Sequence, residues 1–111
     1  MNKIKNYIID KQDHRFEYTI LGKIPLIIKD KLLTNIYIPD LIKRLEAVLP
    51  NISKDLVDSI IIADLDTFKK RKINALYHDN KIFVSNNQDN LNDILDDIVH
   101  EYSHALEDKH S

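Results

Sequence analysis

The sequence predicts an α+β domain: a small mixed sheet with an edge-strand hairpin, packed on two helices. Three observations predict it. Phe16-Glu17-Tyr18-Thr19-Ile20, Pro25-Leu26-Ile27-Ile28 and Ile60-Ile61-Ile62-Ala63 are short, β-branched or aromatic runs, which is strand composition. Between and after them the apolar period changes to three and four residues, the period of a helix face. The 111 residues, 43% apolar and 31% charged, are the length and make-up of one globular domain.

Taken in order, residues 1–14 are polar and irregular and read as a loose lead-in, with a single domain over 15–111. Gly22, the only glycine, marks the turn between the first two strands. Leu41, Ile42, Leu45, Val48 and Leu49 define a first helix, with Pro39 where a first helical turn accepts proline and Pro50 as its stop. The continuous run Ile60–Ala63 reads as a buried central strand. Phe68–Lys72 reads as a basic loop. Ala75-Leu76-Tyr77 and Ile82-Phe83-Val84 flank His78-Asp79-Asn80-Lys81, and Asp-Asn suits a two-residue hairpin turn. Ser85–Asn90 is a polar cluster rich in N-cap residues, from which a long helix runs towards Asp108.

Composition closes several routes. Net charge is −2, which removes the electrostatic motive for general nucleic-acid binding. No cysteine is present, so thiolate metal sites, disulfides and a cysteine nucleophile are excluded. No apolar run approaches the roughly 20 residues of a membrane span, and no secretory h-region follows the N-terminus. The expectation is therefore a cytoplasmic protein with no membrane or nucleic-acid partner. Its oligomeric state is left open.

The chemistry lies on the last helix. With Ile98 at 0° and about 100° per residue, Leu91, Ile94, Leu95, Ile98, Val99, Tyr102, Ala105 and Leu106 form one apolar stripe. His100 and His104 fall opposite it, at about 200° to 240°, and Glu101 lies at the boundary between the faces. His100-Glu101-Tyr102-Ser103-His104 is thus an H-E-x-x-H sequence on a helix. Imidazoles four residues apart stand one turn apart on one face, so both can reach one ion. Zinc accepts neutral imidazole, and Glu101, beside the first histidine, is placed to take a proton from water as general base. A chance match arises in roughly one chain of this composition in a hundred. The competing accounts are a surface helix with two solvated histidines and a metal-binding domain without catalysis.

The motif His100, Glu101, His104 and the order helix, strand, strand hairpin, helix over residues 39–108 resemble the zincin metallopeptidases. Tyr77–Glu107 is also similar to small phage-type zincin domains, which would place the protein in a host cytoplasm or a virion. The resemblance implies a Zn²⁺-dependent peptidase with His100 and His104 as ligands and Glu101 as base. It implies a sheet edge, here Asn74–Tyr77, along which a peptide or protein substrate pairs. The alternative is a non-catalytic metal- or peptide-binding module with an incomplete site.

The resemblance is incomplete at the third ligand. The longer pattern H-E-x-x-H-x-x-G-x-x-H would use His110, but Glu107 occupies the position where glycine makes the turn out of the helix. The methionine turn is absent as well. If the helix runs straight on, His110 lies at about 120°, away from the histidine face, and the expectation is that it stays off the metal. Glu107 itself reaches the same ion poorly. The ligand shortfall leaves three routes: His110 serves, another chain or solvent completes the site, or the chain is part of a longer protein, which is the expectation. Tyr77 and His78 are the remaining candidate cleft residues, Tyr77 through its hydroxyl. Asp93 and Asp97, on the histidine face, are placed to orient the imidazoles but read rather as solvated carboxylates near a helix N-terminus, and Lys69–Lys72 reads as solvated charge.

Overall fold

The computed structural model describes residues 16–110, with His110 described by its backbone alone. The lead-in read over residues 1–14 lies outside the described residues. The elements are β1 (Phe16–Ile20), β2 (Ile24–Ile28), α1 (Ile38–Val48), β3 (Ser59–Ala63), α2 (Asp66–Arg71), β4 (Ala75–His78), β5 (Lys81–Ser85) and α3 (Leu91–His110). The α+β class holds, but with three helices rather than two. The segment read as a basic loop is instead the greater part of α2, capped by Lys72 in the left-handed region with its N–H on the Phe68 carbonyl. Asp66 in its first turn and Lys69, Lys70 and Arg71 in its last suit the helix dipole.

The five strands form one mixed sheet in the order β1-β2-β3-β5-β4. β1 pairs antiparallel with β2 and β4 with β5, while β2-β3 and β3-β5 are parallel. The apolar Ile60–Ala63 run therefore sits in the centre, where both neighbours are strands. Register puts Leu26, Ile60 and Ile82 in one row and Ile28, Ile62 and Val84 in the next, and all six are buried. Side chains alternate across a strand, so these rows share one face. Ile38, Leu41 and Leu45 of α1 and Ile94, Leu95, Ile98, Tyr102 and Ala105 of α3 complete the same core. The other face carries Ile27, Ile61, Phe83 and Leu76, all half-buried and outside that core.

Turn chemistry sets the two hairpins. Leu21 and Gly22 have φ of 52° and 66°, and Leu21 is tied by its N–H to Glu46 of α1 at 2.7 Å. Asp79 and Asn80 have φ of 54° and 61°, the paired left-handed geometry that matches strand twist. Asn80 is pinned further: its carbonyl accepts from the Asp58 N–H at 2.7 Å and its amide donates to the Asp55 carbonyl at 3.0 Å.

α3 begins where the polar cluster predicts. The Asn90 side chain accepts the Asp93 N–H at 3.0 Å, an N-cap bond. The apolar stripe packs as read from Ile94 to Ala105, and the Tyr102 hydroxyl accepts the Ser53 N–H at 3.1 Å. Two stripe residues do not follow the reading: Val48 of α1 and Leu106 of α3 are 49% and 38% exposed. Among the described residues no helix is long and apolar enough to cross a membrane.

Candidate metal centre

The site lies where α3 runs beside β4. Because β4 is an outer strand of the sheet and α3 packs on β4 and β5, the helix face opposite the core opens onto the sheet edge. The cleft between them has a volume of about 530 Å³. Its strand wall is Ala75, Leu76 and Tyr77, and its helix wall includes His100, Glu101 and His104.

His100 and His104 are exposed and Glu101 is half-buried, and one potential ligand atom from each lies within 4.8 Å of the others. This cluster can hold a metal ion. The two Nε2 atoms are 3.1 Å apart, with the rings at 85° and their centroids 4.6 Å apart. Two nitrogens bound to one tetrahedral zinc at about 2.05 Å stand about 3.3 Å apart, so the separation of the pair matches that of two ligands of one ion. The donor set, two imidazoles and a carboxylate, is one that divalent transition metals accept. Among the described residues this is the one group of three such side chains, and Glu101 has no hydrogen-bond or ion-pair partner there.

The other sequence candidates separate. Tyr77 lines the cleft, but its hydroxyl donates to the Leu56 carbonyl at 2.6 Å, and burial, then the charges of Asp108 and Asp58, push its pKa up. That proton is engaged away from the histidines. His78 ends β4, is exposed, and does not line the cleft. The backbone is helical through His110, so the turn at Glu107 that the longer pattern needs is not made. The His110 side chain lies outside the described residues.

Asp97 differs from its reading as a solvated carboxylate. It is half-buried and accepts from the Gln88 amide at 3.1 Å, while Gln88, 4% exposed, also donates to the Ser85 carbonyl. Burial raises the Asp97 pKa, with the neighbouring charges of Asp93 and Asp96 adding to the shift. Asp93 is exposed, as read.

Arg71, read within a run of solvated charge, and Glu107, read as a poor ligand, both line the cleft. Arg71 stands at the end of α2 and lines the cleft with Ile73, because α2 leads directly into β4. Glu107 lines the helix wall, and its Oε1 is 3.3 Å from Nδ1 of His104. Spacing of three on a helix signals that second contact; nothing local signals the first. Comparison with family models, curated proteins and solved structures gives no match, so fold and site geometry carry the functional reading alone.

Proposed function

We propose that this chain is a zincin-type domain whose His100 and His104 hold Zn²⁺ and whose cleft hydrolyses peptide bonds. The observation that carries the reading is the pair of Nε2 atoms 3.1 Å apart on a helix face that opens onto a sheet edge. A zinc ion there would supply Lewis acidity to a carbonyl and acidify a water. The chain's own groups do the rest. Glu101 takes the proton of the attacking water on a carboxylate oxygen and returns it to the departing amine nitrogen.

The substrate is an extended peptide or protein segment on β4. In a two-residue hairpin the closing pair, His78 and Lys81, exchanges ladder bonds, and so does every second pair inward. Asn74 agrees: its carbonyl accepts the Ser85 N–H at 2.7 Å. By that alternation the N–H and C=O of Ala75 and Tyr77 point outward, free to pair with a further strand beside the histidines.

The second reading is a domain that binds metal or peptide without hydrolysis. It is favoured by the ligand count: catalytic zinc uses three protein ligands, and the only third donor within reach among the described residues is Glu101. As a ligand it could not also be the base. Metal analysis of the purified chain, repeated for H100A, H104A and E101Q, tests the site. The proposal expects about one zinc per chain in the parent and in E101Q, and none in the histidine variants. Equal zinc in all four would refute it. Peptide-library turnover lost in E101Q separates catalysis from binding; a parent that binds zinc and cleaves nothing supports the second reading.

A further inference from the structure

We propose that Glu107 is a positioning residue that fixes the tautomer of His104 and so readies its Nε2 for a metal ion. The inference rests on the metal reading of His100 and His104 and adds a third residue to it. A neutral imidazole carries one proton, on either nitrogen, and what lies beside each nitrogen decides which. Glu107 Oε1 is 3.3 Å from Nδ1 of His104. An ionised carboxylate only accepts, so it selects the N–H at Nδ1 and leaves Nε2 of His104 with a bare lone pair.

That bare nitrogen is 3.1 Å from Nε2 of His100. Two lone pairs facing each other at this distance repel, so in the metal-free protein His100 carries its proton on Nε2 and donates it to His104. The two rings therefore hold opposite tautomers. When an ion enters, only His100 has to move its proton from Nε2 to Nδ1. His104 already presents a ligand atom.

The helix makes this possible. Glu107 follows His104 by three residues, and α3 stays helical through His110, which keeps the carboxylate on the Nδ1 side of the ring. A glycine at that position, as the longer zincin pattern would have it, would turn the chain and remove the acceptor. The position that departs from the pattern thus acquires a role of its own. Both side chains are largely exposed, 52% for His104 and 77% for Glu107, so the effect belongs at the low end for outer partners of metal ligands.

The test uses the full chain, labelled with ¹⁵N and free of metal, at about pH 8, where an ordinary histidine is neutral. Long-range proton–nitrogen correlation should show His104 protonated at Nδ1 and His100 at Nε2. Zinc affinity, measured by competition with a chromophoric chelator, should fall about 10-fold in E107A. E107Q should recover most of that loss, since its amide oxygen still accepts from Nδ1. Circular dichroism should show both variants folded. His104 protonated at Nε2 in the parent, or E107A binding zinc as tightly as the parent, would overturn the role of Glu107 alone. A parent that takes up no zinc would remove the metal reading itself, and this inference with it.

Discussion

The described sheet has two outer strands, and only one of them borders a candidate site. β1 carries Phe16, 61% exposed, and exposed Glu17, and its nearest helix is α1, which meets it through apolar packing and the Glu46–Leu21 bond. β4 has three half-buried residues out of four and runs beside a helix face bearing two imidazoles and a carboxylate. Both edges are short and end in a left-handed turn. The lesson is that free backbone groups on an edge do not make a site. What distinguishes β4 is a polar helix face held across a cleft from them.

Several measurements would break or sharpen that contrast. The largest effect belongs to Glu101: E101Q should lower peptide hydrolysis by about 10²–10⁴-fold with zinc content unchanged, and a variant that cleaves at the parental rate would end the base assignment. Next is the edge itself. Ala75→Pro removes an outward N–H without cutting the ladder to β5. It should abolish retention of extended peptides by the zinc-loaded chain, read by fluorescence polarisation, whereas Phe16→Lys on β1 should leave it intact. Equal loss from both would show that the edges are equivalent.

A smaller effect is expected in the core behind the site. Ile98→Ala empties a fully buried position on the helix that presents the histidines and should cost about 2–5 kcal/mol in a denaturant titration. Tyr102→Phe only removes the acceptor for the Ser53 N–H, at about 0.5–1.5 kcal/mol.

The smallest effect concerns Asp97. Its folded pKa is raised, so folding favours the protonated form. Stability from this group is present at acid pH and is lost as pH rises through the folded pKa. Asp97→Asn, which keeps an oxygen for Gln88 to donate to, should therefore raise the melting temperature at neutral pH and lose that advantage in acid. A constant difference across the pH range would contradict the sign.

Most of the fold is legible in the sequence because its signals are periodic. β1, β3 and α3 come from alternation, a continuous apolar run and a three-and-four spacing, and the Asp79-Asn80 turn from residue type. α2 is not legible that way: a six-residue helix with one buried residue, Phe68, has too few turns to show a period. Its charge order was the available signal. The site divides similarly. His100, Glu101 and His104 are close because they share a helix, so spacing suffices. Arg71 reaches the cleft only because α2 feeds the edge strand, a placement no local pattern encodes. The Glu107 contact follows from its spacing of three from His104, but spacing does not say that the carboxylate meets Nδ1 rather than the ligand nitrogen.

The hairpin and helix that build the cleft are consecutive: β4, β5 and α3 occupy residues 75–110 with nothing interposed. Both walls therefore come from one short stretch of chain, and closing it requires only a two-residue turn and a short connection. Contacts with so small a sequence separation form early in folding. The sheet centre, by contrast, must wait for β2 and β3 to meet across α1. Hydrogen exchange should accordingly find β4, β5 and α3 opening together as one cooperative unit, so that the face bearing the candidate metal site is gained or lost whole.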